Sequence, residues 1–263
     1  MQDDKKIFIL IDFDGIIRLG NNIADDAKEF LTFLRDQKIP HYIISNSTLK
    51  TSNDINLFLK RNGINFDVNV MTTVDSTLQY IKKNNLKVAV YCEDTIKKLF
   101  NDFVDENNPN AVVIGDIGNG WSYEILNKIF RTVMNGADII AMQKNRFWNP
   151  TGEELVLDAG AFISAIEYAA SKKSILIGKP SPIYFHSALD FLGYKNGDNF
   201  YMIGDDLETD IEASQKIGGK GILVFTGKTK YPLGNDIKTK PNYTADSLTE
   251  VMETIQKLTL KLP

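Results

Sequence analysis

Short unbroken apolar runs alternate along most of the chain with stretches whose apolar residues recur at helical spacing. That alternation predicts a parallel α/β protein. The run IFILIDF (7–13) is the first strand candidate. It is followed by NIADDAKEFLTFLRDQ (22–37), where Ala27, Phe30, Leu31 and Leu34 fall on one helical face. PHYIISNS (40–47) reads as a strand and TSNDINLFLKRNG (51–63) as a helix stopped by Gly63. KVAVYC, NAVVIGD, ADIIAMQ, SILIGK, NFYMIGDD and GILVF are the later strand candidates. No repeat, low-complexity tract or Pro/Gly/Ser-rich linker interrupts the pattern.

The stretch from Val70 to Lys173 has its own strand and helix alternation but none of the acid-bearing strand ends found on either side of it. It is read as an inserted domain. The expected architecture is a doubly wound, Rossmann-like parallel-sheet core from residues 1–69 and 174–263, with a smaller α/β domain at 70–173.

Composition narrows the function classes. With 263 residues, 43% hydrophobic and 24% charged, the chain can bury a sizeable core. A formal charge of -4 argues against a general nucleic-acid or anionic-membrane binder. No apolar run approaches the ~20 residues that span a bilayer, and the acidic start MQDDKK precedes too short an apolar run for an export signal. The single cysteine, Cys92, allows no intrachain disulfide. The cytoplasm is the expected compartment, with no nucleic-acid or membrane partner, and the triplets NST (46–48) and NYT (242–244) are read as chance glycosylation matches.

Four motifs close strand candidates: DFDG with Asp12 and Asp14, ISNS with Ser45 and Asn46, IGKP with Lys179, and IGDDLETD with Asp205, Asp206 and Asp210. In open parallel sheets ligands bind just beyond the carboxyl ends of strands, so motifs distant in sequence can meet in one crevice. Their chemistry suits phosphoryl transfer. A carboxylate can attack phosphorus in line and divide one displacement into two easier ones. An anion attacking an anionic phosphate needs neutralising charge, which Mg²⁺ on oxygen ligands and a lysine supply. An acid two residues on can protonate the leaving oxygen and later take a proton from water, and Ser45 and Asn46 can donate to phosphate oxygens.

With these motifs in this order, the chain resembles the haloacid dehalogenase superfamily. The stretches LDAGAFISAIEYAASKKSILIGKPSPIYFHSALDFLG and MIGDDLETDIEASQKIGGKGILVFTGK resemble its members with a large C2-type α/β cap between the second and third motifs. The resemblance implies a Mg²⁺-dependent phosphatase of a small phosphorylated metabolite. Asp12 would be the nucleophile and Asp14 the general acid and base, its carbonyl also on Mg²⁺. Asp12 and Asp205 would bind the metal directly and Asp210 would hold bound water or the lysine. Gly15, Ser45, Asn46 and Lys179 would hold the phosphate. Ile16 stands where many relatives carry Thr or Val. Relatives commonly dimerise through the cap, which makes a homodimer an expectation here too.

Other readings compete. The same fold could serve as a noncatalytic phosphate-binding or scaffold protein, and some superfamily members cleave carbon–halogen or phosphonate bonds. Asp206 could touch metal-bound water or cap the following helix. His41, His186 and Cys92 are read as structural, and GDIGNG (115–120) lacks the spacing and lysine of a phosphate loop. Substrate choice is expected in NRFWNPTGEELVLDAGAF (145–162), where Phe147 and Trp148 offer flat apolar surface and Arg146 and Asp158 offer charge.

Overall fold

The computed structural model describes residues 6–148, 154–234 and 238–260; of Trp148 it describes the backbone. The chain divides into two units: residues 1–45, 55–71 and 179–263 form the first, and residues 46–54 and 72–178 the second.

The first unit is built on a six-stranded sheet in the order Tyr243–Ala245, Lys220–Val224, Asn199–Gly204, Ile7–Asp12, His41–Ser45, Val70–Thr72. The first five of these run parallel. Ile7–Asp12 is apolar at successive positions because both its faces are covered. Ile7, Ile9 and Ile11 join a core with Phe30, Leu31 and Leu34 of helix Ala27–Asp36 and with Val251 and Ile255 of helix Leu248–Thr259. Phe8 and Leu10 point the other way, onto Tyr184, Phe185 and Leu189 of helix Pro182–Leu192. The parallel α/β architecture that the apolar pattern predicted is here a doubly wound sheet. From Ile7–Asp12 the chain builds outward to His41–Ser45 on one side and, later, to Asn199–Gly204 on the other. Strand order therefore reverses between the strands that end at Asp12 and at Gly204, and such a switch point opens a crevice at the carboxyl ends.

The second unit has a parallel sheet in the order Ile175–Leu176, Asp138–Ala141, Ala111–Ile114, Val88–Tyr91. Helix Thr73–Lys83 buries Val74 and Ile81 against Val88, Val90, Val113 and Ile140. Helices Tyr123–Met134 and Ala159–Ala170 bury Ile129, Val133, Ile163 and Ile166 on the opposite face. Thr72 and Asp75 form a reciprocal capping box at the start of the first of these helices. Among the described residues no helix is long and apolar enough to cross a membrane.

Two strands lie elsewhere than the sequence suggests. Val70–Thr72, read as the start of the insert, is the edge strand of the first sheet, where Asn69 O accepts from Ile43 N at 2.8 Å. SILIGK, read as a core strand, contributes Ile175–Leu176 to the second sheet, Ile175 pairing with Ile140. An apolar run signals a buried strand but carries no label for its sheet. Residues 46–54 also fall with the second unit, where Thr73 Oγ1 donates to Ser47 O at 2.8 Å and Ser52 N to Asp75 Oδ2 at 2.8 Å.

Candidate active site

The carboxyl end of Ile7–Asp12 delivers Asp12 into buried surroundings, 8% exposed. Phe13 N–H donates to Asp12 Oδ1 at 2.8 Å, and Lys179 Nζ lies 2.7 Å from the same oxygen. Lys179 is 2% exposed and reaches Asp210 Oδ1, also at 2.7 Å. Its ammonium thus bridges two buried carboxylates that are 198 positions apart in the chain. Lys179 does not follow a strand of this sheet. It opens the segment leading into helix Pro182–Leu192, whose Tyr184 and Phe185 anchor that segment in the core.

Asp205 and Asp206 follow the strand Asn199–Gly204, and a π-helical turn, Leu207–Glu212, brings Asp210 back beneath them. Asp210 Oδ2 accepts from Asp206 N at 3.2 Å. Gly204 is required here, because a Cβ on it would overlap the Asp210 carboxylate. Asp12, Asp205 and Asp210 each offer an oxygen within 4.8 Å of those of the other two. Hard carboxylate oxygens so grouped fit a small divalent cation such as Mg²⁺.

The electrostatics favour the same conclusion. Burial pushes the Asp12 carboxyl well above the ordinary carboxylate range; Lys179 opposes the shift, while Asp210 and Asp205 add to it. Burial, with Asp210 alongside, pushes Asp205 up to about 6. Burial also raises Asp210 against the pull of Lys179. For Lys179 burial works against the charge, yet Asp12 and Asp210 together hold it above the usual lysine range. Three buried carboxylates share one ammonium, a cluster in which further positive charge is stabilising.

Asp206 has a different task. Its Oδ1 accepts from Glu208 N at 2.8 Å and Thr209 N at 3.2 Å, and its Oδ2 pairs with Lys228. Burial works against its charge, but Lys228 and the two N–H groups hold it below the ordinary carboxylate range. It caps the turn that carries Asp210, the second of the two roles the sequence left open.

Asp14 lies at the mouth of the turn after Asp12 and is held by Arg18, whose Nε donates to its Oδ1 at 2.5 Å. Gly15 has φ +88°, in the left-handed region, and a Cβ there would overlap Asp205 Oδ2. Its N–H donates to Arg18 O at 2.8 Å, so that donor is used inside the turn, and what Gly15 contributes visibly is space for Asp205. Ser45, 1% exposed, ends the neighbouring strand, in which Ile44 pairs with Asp12. The Tyr184 hydroxyl, 2.7 Å from Ser45 O and 3.0 Å from Met71 O, ties together the ends of two adjacent strands. Asn46 opens the second unit, where a Cβ on Gly178 would overlap its Oδ1.

Arg18, Thr226 and Lys228 escaped the motif reading. Thr226 and Lys228 lie just past the strand Lys220–Val224, so the strand-end rule that singled out Asp12 and Asp205 also pointed at them.

The remaining expectations resolve simply. Cys92 is buried, which pushes its thiol up to about 12. His41 Nδ1 lies 2.8 Å from Ile39 O, and His186 is exposed on its helix. GDIGNG holds a short turn in which Gly118 N donates to Asp116 Oδ1 at 2.8 Å. Asp158 caps helix Ala159–Ala170 and accepts from Gln143 Nε2 at 2.6 Å, so its charge is used within its own unit. The Trp148 side chain and residues 149–153 of the expected specificity stretch lie outside the described residues.

Comparison with known proteins agrees with this geometry. The sequence profile of haloacid dehalogenase-like hydrolases matches residues 9–103, and a second profile, HAD-hydrolase-like, matches residues 176–251. The mouse haloacid dehalogenase-like hydrolase domain-containing protein 2 is 30% identical over 254 residues, covering 94% of this chain and 95% of the relative. Bovine phospholysine phosphohistidine inorganic pyrophosphate phosphatase is 30% identical over 254 residues, covering 93% and 92%. The crystal structure of 4-nitrophenylphosphatase from Thermotoga maritima superimposes with a TM-score of 0.84 at 27% identity, covering 95% of this chain and 97% of that one. With those motifs at the switch point of a doubly wound sheet, and relatives matched along nearly its whole length, the chain belongs to the haloacid dehalogenase-like hydrolase family.

Proposed function

We propose that the chain is a Mg²⁺-dependent phosphatase that hydrolyses a small phosphorylated metabolite through an aspartyl-phosphate on Asp12. The first unit is the catalytic core in this reading, and the second is a C2-type cap. The observation that carries the proposal is the buried Lys179 ammonium shared at 2.7 Å by Asp12 and Asp210, with Asp205 completing a carboxylate cluster. Two relatives, a phospholysine phosphohistidine inorganic pyrophosphate phosphatase and a 4-nitrophenylphosphatase, support the reaction class.

Asp12 Oδ1 is engaged by Phe13 N–H and Lys179, which leaves Oδ2 to attack phosphorus. The new bond is Asp12 Oδ2–P; the bond broken joins phosphorus to the leaving oxygen. Asp14 supplies the proton that the leaving oxygen needs, then removes one from a water that attacks phosphorus and frees Asp12. Arg18 keeps Asp14 oriented between the two steps. Lys179 holds Asp12 in line and offsets charge on the phosphoryl oxygens. Ser45 and Asn46 are assigned as phosphate donors. Asp12, Asp205 and Asp210, with the Asp14 carbonyl, would hold Mg²⁺, which when bound neutralises phosphoryl charge and orients the ester.

The test is turnover of p-nitrophenyl phosphate by purified protein with Mg²⁺ and after EDTA treatment. Turnover that requires Mg²⁺ and disappears in Asp12→Asn supports the proposal. Metal-independent turnover, or none on a panel of phosphorylated metabolites, contradicts it.

A further inference from the structure

The turn after the strand Lys220–Val224 closes around Asp205. Lys228 N–H donates to Asp205 Oδ2 at 2.5 Å, and Thr229 N–H donates to the Asp205 carbonyl at 3.0 Å. Thr226 Oγ1 donates to Gly15 O at 2.5 Å, joining this turn to the one after Asp12. The Lys228 ammonium pairs with Asp206. The Asp205 carboxylate is enclosed by two glycines, since a Cβ on either Gly15 or Gly227 would overlap Oδ2. At Gly15 the positive φ excludes larger residues independently. At Gly227 no positive φ is involved, so the close approach of Asp205 is itself the reason for glycine.

This arrangement commits one oxygen of Asp205. Oδ2 is held by an amide and walled in by two backbones, leaving Oδ1 as the oxygen to meet a cation with Asp12 and Asp210. A carboxylate so restrained is a one-oxygen ligand. Mg²⁺ demands near-octahedral single-oxygen ligation, whereas Ca²⁺ accepts more ligands at longer range and commonly takes both oxygens of a carboxylate.

We propose that the turn Thr226–Thr229 sets the metal selectivity of the site by holding Asp205 as a one-oxygen ligand, which favours Mg²⁺ over Ca²⁺. The proposal rests on the Mg²⁺-dependent reading above and adds a positioning element to it. Gly227 and Thr226 act through Asp205 and Gly15.

The experiment compares wild type, Gly227→Ala and Thr226→Val, each checked for folding by thermal melting. Mg²⁺ and Ca²⁺ are titrated separately into substrate-free protein by calorimetry, and Ca²⁺ inhibition of p-nitrophenyl phosphate turnover is measured at fixed Mg²⁺. Gly227→Ala pushes Asp205 out of its slot, so Mg²⁺ affinity should fall roughly 10-fold, the usual lower size of the effect of losing a residue that orients a metal ligand. Ca²⁺ affinity should fall less or rise, shifting the Mg²⁺/Ca²⁺ ratio toward Ca²⁺. Thr226→Val, which adds no bulk to the slot, should shift the ratio in the same sense but less. A folded Gly227→Ala with the wild-type ratio overturns the proposal. If that variant does not fold, an unmoved ratio in Thr226→Val overturns it. Wild type that binds no Mg²⁺ overturns the phosphatase reading as well, which separates the two failures.

Discussion

Both sheets are built on parallel strands packed between helices, five of six in the first and all four in the second, yet the residues just past their strand ends are used in opposite ways. In the first unit Asp12 and Asp210 share one lysine with Asp205 close by, and burial drives all three carboxyls upward. In the second, acids just past strand ends turn onto local backbone N–H groups: Glu93 accepts from Thr95 N and Asp116 from Gly118 N, and Asp158, at a helix start, accepts from Ala159 N. Its buried Glu167 is likewise satisfied, by Lys144 at 2.8 Å and by Ser174 N and Oγ at 2.8 and 2.6 Å. Fold alone therefore does not mark the reactive end of an α/β sheet. What marks it is buried charge without enough local partners, a condition that costs stability and suits ligand chemistry.

The comparison is broken most severely at Asp12, the proposed nucleophile. Asp12→Asn should lower kcat for p-nitrophenyl phosphate by on the order of 10⁴-fold or more, with little change in Tm. Asp158→Ala in the second unit should retain turnover and lose about 1 kcal/mol of stability through loss of the helix cap, about 3 °C in Tm. Equal kinetic losses in the two variants would erase the distinction between the units.

The lysines come next. Lys179→Met strands two buried carboxylates and should cost about 3–5 kcal/mol in denaturant unfolding of metal-free protein. Lys144→Met faces one carboxylate from a partly exposed position and should cost no more than about 1 kcal/mol. A smaller loss at Lys179 than at Lys144 would contradict the assignment of strain to the first unit.

The smallest effects concern pH, and here Asp205 of the first unit and Glu167 of the second should differ in sign. The folded-state pKa of Asp205, about 6, lies above its unfolded value of roughly 3.9. The folded, metal-free protein therefore binds the extra proton between these values and loses stability as pH rises through that window, by on the order of 3 kcal/mol. Asp205→Asn should remove this slope and raise Tm at neutral pH in EDTA. For Glu167 burial works against ionisation, but Lys144 and Ser174 win and hold its carboxyl below the ordinary range. Its contribution is present above that range and lost as pH falls through the lowered pKa. Glu167→Gln should lower Tm at neutral pH, by roughly 1 kcal/mol in stability, and should match wild type in acid. Melting curves in EDTA from acid to neutral pH check both slopes.

Much of the site was legible because its acids stand directly at the ends of apolar runs. IFILI runs into Asp12, and NFYMIG into Asp205, with Asp210 one turn on. Lys179 is legible as a motif, but the sheet of its preceding strand is not, since SILIG is equally apolar in either. Val70–Thr72 was hidden because a three-residue edge strand has no periodicity to read. Arg18, Thr226 and Lys228 act on a carboxylate or a backbone carbonyl brought to them from elsewhere by the fold. Thr226 and Lys228 flank Gly227, which by itself resembles any turn and is distinguished only by following a strand, and Arg18 stands between Ile17 and Leu19 with no motif around it. Asp206 showed the converse: an acid inside a motif whose partners, Glu208 N and Thr209 N, lie within three residues of it.

The central claim is that Asp12 carries the phosphoryl group, and the most direct measurement is to catch it there. Protein mixed with radiolabelled p-nitrophenyl phosphate and Mg²⁺ is quenched in acid within one turnover, digested, and the labelled peptide identified by mass spectrometry. The account predicts label on the peptide containing Asp12, absent from Asp12→Asn and increased in Asp14→Asn, where the water that frees Asp12 lacks its base. Turnover at full rate with no labelled peptide, or label on another residue, would contradict it.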